Sequence, residues 1–545
     1  MAARRDIEEQ RLLYRVSSGS SEERSTDYET EEDEILAEKA AYHAPPSRLP
    51  RWLLYWIPRG RRTRAATSAY FSMTPGRRRR SLPVRILQLL ALVPYIVISL
   101  IIIFGIFLPS YTNPPQRYHD LRNAVERSDV PGRGNVANEK VFIAASIYDK
   151  NGELLRGDWG ARLRELIGIL GPDNVFLSIY ENDPDTLAQA ALESFGESIT
   201  CDKSLVSEHL DLATLPHVIT PTGVSRLKRI EFLAEVRNRA LRPLEDSASP
   251  SYSTQYDKLL YLNDVVFDPT EAANLLFSTN INEATNKTDY RAACAVDFIN
   301  PFKFYDTFAT RDTEGYRMGV PFYPWFTSSG SGESRKDVLG QTDAVRVKSC
   351  WGGMVAFEAK WFQPHMHLPT DAATTPADLS TDALRFRAEP DTYWDGSECC
   401  LIHADLTHTA SEEKSAGSSG IYMNPYVRVA YDYTTLKWLP FTRRFERLYT
   451  PVQSLINALA HLPGYNPRRT QQPGDRVVDK VWVWDEASQA AMREGKAQNL
   501  HGSFQSVERV ATPGQFCGFR NLLYINEHPE EGEGKWGFEK VPAVN

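Results

Sequence analysis

An uninterrupted apolar segment constrains this chain more than any other feature of its sequence. Residues 86–108 read ILQLLALVPYIVISLIIIFGIFL and contain no charged side chain. A helix rises about 1.5 Å per residue, so this segment can cross a bilayer core about 30 Å thick. Pro94 and Gly105 lie inside it, and such residues are tolerated in transmembrane helices. A buried core helix is the competing interpretation, but the length and purity of the segment favour a single transmembrane helix.

Arginine is distributed unequally around this segment. Nine arginines lie between residues 59 and 85, whereas only Arg117, Arg122 and Arg127 follow closely, mixed with acids. Positively charged flanks stay in the cytosol, so the bias predicts a type II protein with residues 109–545 in the lumen. All six cysteines and the sequon at Asn286 lie on that side, which agrees with an oxidising lumen and predicts glycosylation of Asn286.

The composition divides the rest of the chain into segments. Residues 1–85 are polar and basic and are expected to form a disordered cytosolic tail. Residues 109–138 contain Pro, Gly and Asn and are expected to be a luminal stem, followed by a folded domain over residues 139–440. Residues 441–545 contain tryptophans and a cysteine and are expected to pack on that domain as an extension. The net charge of −8 excludes the chain as a whole from the nucleic-acid binders.

Strand-like and helix-like segments alternate between residues 141 and 262. The predicted elements are a strand from Val141 to near Asp149, a helix over Trp159–Gly168, a strand ending at Glu181, a helix opened by Pro184 and Asp185, a helix over Arg229–Leu241 and a strand over Lys258–Leu262. This alternation is typical of an α/β fold with a parallel sheet. Ligands collect at the carboxyl ends of parallel strands, so Asp149, Glu181 and Asp264 are expected on one rim.

A carboxylate interrupts the apolar stretch KLLYLNDVVFDP at residues 258–269. Burying Asp264 there without a partner would cost several kcal/mol. A divalent metal or another ligand at the strand end is one explanation. A strand-end aspartate that caps a turn is the other, and the following Asp268-Pro269 is typical of a turn. Spacing alone leaves both open.

The helix IEFLAEVRNRAL at residues 230–241 places Arg237 on its apolar stripe. A half-buried guanidinium needs an anion, which is either a protein carboxylate or a ligand phosphate. Considered alone, the structural ion pair is the better of the two interpretations.

Two further segments carry candidate site residues. In SCWGGMVAFEAKWF, Trp351 offers a face for a sugar ring, and Gly352 and Gly353 permit a close approach of the backbone to a ligand. A tight turn before a strand explains the glycines equally well. In YWDGSECCLIHADL, Glu398 and His403 stand among other acids at a spacing that suits metal ligation or acid–base chemistry.

The order of these segments resembles that of a GT-A nucleotide-sugar glycosyltransferase. The exact residues of these segments indicate a narrower family. Together they resemble the fungal capsule-associated, cryptococcal-type α-1,3-mannosyltransferase family in the segments VFIAASIYDKNGELL, NVFLSIYENDPDT, FLAEVRNRAL, KLLYLNDVVF, FYDTFATRDTEG, SCWGGM and GSECCLIHADL. The resemblance covers roughly residues 139–440 and is specific only when the segments are taken jointly. Members of this family are type II Golgi proteins.

The resemblance implies a fold and a reaction. The fold would be a GT-A-like Rossmann-type nucleotide-sugar-binding domain on a single-pass type II anchor. The donor would be GDP-mannose, the cofactor Mn²⁺ or another divalent metal, and the acceptor a hydroxyl of a mannose-containing glycan. An α-linked product from an α-linked donor implies retention. The place would be the Golgi membrane, with residues 86–108 in contact with lipid and the catalytic domain in the lumen.

The resemblance also implies roles for individual residues. Asp264 matches the last acid of the DxD metal-binding motif, but Leu262 stands where the first acid usually lies, so His403 is the expected second metal ligand. Glu398 matches the late acid that faces the acceptor, and it is expected to be catalytic together with Asp264. Contacts to the donor are expected from Glu181, Arg237, Asn263, Asp264 and Asp312. Contacts to the acceptor are expected from Trp351, Gly352 and Gly353.

Two alternatives to a GDP-mannose enzyme remain. The same fold could use another nucleotide sugar such as UDP-xylose or UDP-glucuronate. The incomplete DxD motif also permits a non-catalytic luminal relative that acts as a lectin-like protein or a scaffold.

Overall fold

The computed structural model describes residues 82–363, 383–411, 419–496, 500–527 and 534–544, with residues 82–90 described by their backbone only. Almost all of the predicted N-terminal tail therefore lies outside the described residues.

A nine-stranded sheet forms the centre of the fold. Its strands in spatial order are Val345–Arg346, Ile421–Ala430, Ala292–Asn300, Met354–Glu358, Lys258–Leu262, Val141–Ile147, Val175–Asn182 and Asp202–Glu208, with Lys303–Phe304 paired to Ala292–Asn300. The last four strands of this order are parallel to one another. Met354–Glu358 is antiparallel to both of its neighbours, so the sheet as a whole is mixed. The predicted parallel sheet is thus confirmed for one half and extended by a mixed half.

The central strands are mostly apolar because both faces of the sheet are covered. All five residues of Lys258–Leu262 are buried, as are all eight of Val175–Asn182. The predicted bounds of the strand at residues 258–262 are those that the structure has.

Helices connect and cover these strands. They are Leu82–Phe107, Gln116–Glu126, Glu153–Arg156, Asp158–Leu170, Thr186–Glu197, Arg229–Arg239, Pro269–Ser278, Glu333–Leu339, Glu398–Ala410, Tyr433–Thr442, Tyr449–Leu459 and Glu486–Arg493. Four of them begin at an aspartate cap, and two of these caps, Asp185 and Asp268, each accept hydrogen bonds from two backbone N–H groups of the first turn. The Asp268-Pro269 dipeptide is therefore a helix start, with proline in its preferred first position.

The segment predicted to cross a membrane falls within the helix Leu82–Phe107. Among the described residues, no helix combines the length and the apolar character needed to span a bilayer. The structure thus gives the predicted span no support.

Residues 109–138, expected to be a stem, pack on the domain. The rings of Tyr111 and Tyr118 are buried, and Tyr111 meets the ring of Tyr426 edge-on with centroids 4.9 Å apart. Asn424 donates a hydrogen bond of 2.7 Å to the hydroxyl of Tyr118. Buried aromatic side chains hold this segment against the strand Ile421–Ala430, so the folded part begins before residue 139.

The C-terminal segment is joined to the domain by strands and by a disulfide. Its hairpin pairs Arg476–Trp484 with Gly502–Val510. Two smaller pairings join this segment to the domain: Gly518–Phe519 pairs with Asp395–Gly396, and Trp536–Phe538 and Leu523–Ile525 form a four-stranded sheet with Ser225–Lys228 and His217–Ile219. Outside the C-terminal segment, Ile281–Asn282 pairs with Lys287–Thr288. Cys400 forms a disulfide with Cys517, and Cys294 forms the second disulfide with Cys350. Cys201 and Cys399 are buried free thiols.

Candidate active site

Three of the predicted site residues follow neighbouring parallel strands. Asp264 comes after Lys258–Leu262, Asp149 after Val141–Ile147, and Glu181 lies near the end of Val175–Asn182. These strands are adjacent in the sheet and parallel, so their carboxyl ends meet at one edge. The structure therefore brings the three residues to the same rim.

The carboxylate of Asp149 is used within the fold. Its two oxygens accept hydrogen bonds from the backbone N–H groups of Leu154 at 2.7 Å and Leu155 at 3.0 Å. Burial raises the pKa of Asp149, and these two hydrogen bonds oppose the shift. Asp149 thus fixes the start of the helix that follows the first strand.

The carboxylate of Glu181 is only half satisfied. Glu181 is fully buried, and its Oε2 accepts a hydrogen bond of 3.2 Å from the hydroxyl of Ser207. Its Oε1 is also buried and has no hydrogen-bond partner among the described residues. Burial raises the pKa of Glu181 to about 7, against the hydrogen bond from Ser207 and with a further contribution from Asp149. A buried acceptor without a donor is costly, so Oε1 is suited to receive donors from a ligand.

Arg237 finds a protein carboxylate. Its Nε donates to Oε1 of Glu398 at 2.9 Å, and its Nη1 donates to Oδ1 of Asn263 at 3.1 Å. Its guanidinium lies over the ring of Trp351, 4.5 Å from the centroid. Of the two partners that the sequence left open, the structure places the carboxylate beside Arg237. We call Arg237, Asn263, Trp351 and Glu398 the Arg237 cluster.

Trp351 is enclosed by this cluster. Its Nε1 donates to Oδ1 of Asn263 at 3.3 Å, and its ring packs on Tyr261 and Phe386 at centroid distances of 5.3 and 5.7 Å. Only a small fraction of the side chain is exposed. The geometry disagrees with the expectation that Trp351 offers a face to the acceptor sugar, because protein side chains cover the ring.

The glycine pair approaches protein backbone. Gly352 and Gly353 have φ of 57° and 67°, which favours glycine, and a side chain at residue 352 would overlap the carbonyl of Ala295. The N–H of Gly352 donates to Oδ2 of Asp306 at 3.2 Å, and the carbonyl of Gly353 accepts from the N–H of Asn263 at 2.9 Å. The structure thus favours the tight-turn interpretation over direct contact with an acceptor.

Two aspartates without a predicted role lie beside this turn. Asp297 is fully buried in the strand Ala292–Asn300 and accepts from the N–H of Asp306 and the hydroxyl of Tyr431, both at 3.1 Å. Burial and the charge of Asp306 raise the pKa of Asp297 to about 8. Burial also raises the pKa of Asp306, with Glu398 contributing in the same direction. An acid inside the apolar run AACAVDFIN is the signal that could have identified Asp297, as it identified Asp264.

Asp264 belongs to the same acidic group. It is half-buried, and its charge raises the pKa of the Tyr431 hydroxyl together with Asp297 and Asp306, after the larger effect of burial. Asp297 is fully buried, whereas Asp264 and Asp306 are partly exposed. Asp306 also accepts hydrogen bonds from the N–H groups of Ala309 at 3.0 Å and Gly352 at 3.2 Å. These two carboxylates are the members of the group that could bind a divalent cation. We call Glu181, Asp264 and Asp306 the acidic rim.

His403 lies in the core and does not face this group. It is fully buried, its Nδ1 donates to the carbonyl of Cys399 at 2.7 Å, and its Nε2 is 3.9 Å from Sγ of Cys294. Within the described residues, His403, Cys294 and Cys350 form the one close group of possible metal ligands, but the two cysteines are joined in a disulfide and offer no thiolate. The geometry therefore disagrees with the expected role of His403 as the second metal ligand.

The remaining predicted residues have structural surroundings. Asp312 is buried and accepts from the N–H groups of Glu314 at 2.9 Å and Tyr316 at 2.8 Å, which closes a turn, and burial raises its pKa to about 6. The neighbouring Arg311 donates to backbone carbonyls, including those of Phe516 and Cys517, and so ties the loop to the C-terminal segment. No contact that the structure describes gives Asp312 a role at the acidic rim.

Asn286 is exposed in the turn between the short strands Ile281–Asn282 and Lys287–Thr288. A glycan at this position would meet solvent.

A family of transferases matches this part of the chain. The model of the family described as cryptococcal mannosyltransferase 1 matches residues 140–405, a range that contains every predicted site residue. The match identifies the chain as a glycosyltransferase of the mannosyltransferase class. Residues 140–405 match the cryptococcal mannosyltransferase family, which confirms the resemblance seen in the sequence.

Other comparisons are distant. No curated protein matches the chain. A solved structure of the mannosyltransferase PcManGT from Pyrobaculum calidifontis in complex with GDP-Man and Mn²⁺ is similar at 12% identity and a TM-score of 0.28, covering 65% of this chain and 84% of that chain. Mannosyl-3-phosphoglycerate synthase from Rubrobacter xylanophilus is similar at 12% identity and a TM-score of 0.26, covering 76% and 95%. Likenesses of this size carry no argument about the site.

Proposed function

We propose that this chain transfers mannose from GDP-mannose to a hydroxyl of a mannose-containing glycan, with retention and an α-1,3 linkage, and that a divalent cation such as Mn²⁺ assists. The observation that carries the proposal is the family match over residues 140–405. The acidic rim supplies side chains suited to the donor and to the cation.

Glu181 is proposed to select the nucleobase. Guanine presents an N1–H and an amino group on one edge, whereas uracil presents a single N–H. A carboxylate that is buried at a strand end with Oε1 unsatisfied is suited to accept such paired donors. This chemistry favours GDP over UDP.

Asp264 and Asp306 are proposed to hold the divalent cation. The residues fit such an ion, because burial raises the pKa values of Asp297 and Asp306, with added repulsion from Asp306 on Asp297 and from Glu398 on Asp306. A nearby positive charge would oppose these effects. When bound, the cation would neutralise charge on the leaving diphosphate. Asp306 takes the place that the sequence had given to His403.

The Arg237 cluster is proposed to position groups next to the reaction. The ion pair of Arg237 with Glu398 fixes a carboxylate at the first residue of the helix Glu398–Ala410. We propose that Glu398 orients the acceptor hydroxyl. Arg237 and Asn263 are proposed to affect donor binding by holding the loop that carries Asp264. Trp351, Gly352 and Gly353 are proposed to affect the acceptor side by fixing the turn beside Asp306.

A type II arrangement in the Golgi membrane is proposed from the sequence. Its support is the uncharged segment 86–108 with the arginines that precede it. The two disulfides suit an oxidising lumen, and the exposed sequon at Asn286 suits glycosylation there.

Donor binding to the purified full chain tests the proposal. GDP-mannose, UDP-glucose and UDP-xylose are titrated by calorimetry with Mn²⁺ and again after its removal with a chelator. We expect GDP-mannose alone to bind, and only with the cation. Preference for a UDP-sugar would overturn the donor assignment, and a folded chain that binds none of the three would favour the scaffold alternative.

A further inference from the structure

Two consecutive helices expose an apolar surface. Trp438 and Phe441 on Tyr433–Thr442, and Val452, Leu455 and Leu459 on Tyr449–Leu459, are between 51% and 72% exposed. We call these five residues the aromatic–aliphatic patch. Large apolar side chains that a folded domain leaves exposed on neighbouring elements are typical of an interaction or membrane-binding surface.

The second of these helices has its polarity reversed. Gln453 and Asn457 are buried, while Val452, Leu455 and Leu459 face outward at helical spacing. The buried amides are used by the domain: Gln453 donates to the carbonyl of Phe326 at 3.3 Å, and Asn457 accepts from the N–H of Val320 at 2.8 Å. A helix facing water shows the opposite arrangement, so this face is built for an apolar medium.

The patch continues into the apolar helix at the start of the described chain. The ring of Phe445 lies between the patch and this helix. It meets the ring of Phe441 with centroids 5.2 Å apart, and it covers Gly105 of Leu82–Phe107. Arg444 donates to the carbonyl of Gly105 at 3.2 Å. Side chains of that helix, such as Phe107, are themselves exposed and apolar. The two apolar surfaces therefore adjoin.

The border of the patch has the composition of a membrane interface. Trp438 and Phe441 stand beside the exposed cations Lys437 and Arg444. Aromatic rings with an apolar body, and basic side chains with an apolar stem, collect at the level of lipid headgroups. A protein partner would require no such pairing of tryptophan with surface cations.

We propose that the aromatic–aliphatic patch docks on the surface of a lipid bilayer, with Trp438 and Phe441 at the headgroup level and Leu455 and Leu459 turned toward the acyl chains. This contact is distinct from a spanning segment. It would hold the catalytic domain in one orientation to the membrane, with Lys437 and Arg444 toward the phosphates.

Lipid-borne quenching of Trp438 tests the proposal. The full chain is reconstituted in phosphatidylcholine vesicles with or without brominated acyl chains, and the emission of Trp438 is obtained by subtracting that of a Trp438→Phe variant. We expect brominated lipid to lower this emission at least about twofold and acrylamide in the water to lower it little. The control is Val478→Trp in the Trp438→Phe background, a residue 70% exposed on the hairpin Arg476–Trp484. It should show the reverse.

Each other outcome overturns the proposal. Emission of Trp438 that acrylamide quenches and brominated lipid does not would leave the patch in water. Protection from both quenchers would mean that a protein surface, such as a second copy of the chain, covers the patch. The Trp438→Phe variant used for subtraction should fold like the parent chain, because residue 438 is exposed. Failure of the full chain to join the vesicles would overturn both the docking and the proposed anchor at residues 86–108, without bearing on donor binding.

Discussion

Glu181 in the acidic rim and Glu398 in the Arg237 cluster are buried carboxylates in opposite states of satisfaction. Glu398 in the cluster is buried, and Arg237 donates to it at 2.9 Å. Glu181 in the rim is buried as deeply, yet its Oε1 has no donor among the residues that the structure describes. Buried charge with a partner supports the fold, whereas buried charge without one points to a ligand. The comparison separates residues that position the site from residues that would touch the donor.

Breaking the ion pair of the cluster should have the largest effect. We expect Arg237→Met to lower the free energy of unfolding by about 3–5 kcal/mol, because it leaves Glu398 charged and buried. Urea unfolding measures the loss. The matched control is Arg237→Met combined with Glu398→Gln, which removes the stranded charge and should recover more than half of it. A single variant as stable as the parent chain would mean that the pair lies open to water.

Acid should lower the stability of the folded chain through His403, because this imidazole is buried in the core. Burial lowers the pKa of His403 to about 4, below its ordinary value, so the unfolded chain takes up a proton first. Its contribution is present above pH 6.5 and declines as the pH falls toward 4, by about 3 kcal/mol. We expect His403→Gln to lose less stability than the parent chain over that interval in urea titrations. Parallel pH profiles of the two chains would contradict the burial of a neutral imidazole.

Glu181 should respond to pH in the opposite direction and by less. Burial raises its pKa to about 7, so protonated Glu181 favours the folded chain at low pH, and this contribution declines as the pH rises from about 4.5 to 7. We expect Glu181→Gln to be about 1–2 kcal/mol more stable than the parent chain at pH 8, after allowance for screening by water. The same variant should bind GDP-mannose more weakly. Equal stability at pH 8 together with equal donor affinity would remove Glu181 from the rim.

The strands were predictable because their cause is local. A strand buried on both faces is mostly apolar, and Lys258–Leu262 shows this in the four consecutive residues that follow its lysine. The Asp-capped helix at Asp185 is equally local. The position of Asp149, Glu181 and Asp264 at one edge followed from strand direction alone.

Satisfaction of polar groups was not predictable because partners are distant in sequence. Arg237 and Glu398 are 161 residues apart, and Trp351 and Asn263 are 88 apart. His403 has the spacing of a metal ligand in the sequence, but a disulfide between Cys294 and Cys350 fills the space beside it. Sequence identifies residues that need a partner, and the tertiary structure decides whether the protein supplies it.

Donor binding by two matched variants tests most directly whether the cation is held by Asp264 in the acidic rim or by His403 in the buried core. Calorimetry of GDP-mannose in the presence of Mn²⁺ is carried out on Asp264→Asn and on His403→Gln, with Asp268→Asn, at a helix cap four residues beyond Asp264, as the control. We predict that Asp264→Asn weakens cation-dependent binding at least about 100-fold, or about 3 kcal/mol, while His403→Gln and Asp268→Asn bind like the parent chain. Loss of cation-dependent binding in folded His403→Gln, with Asp264→Asn unaffected, would contradict the account.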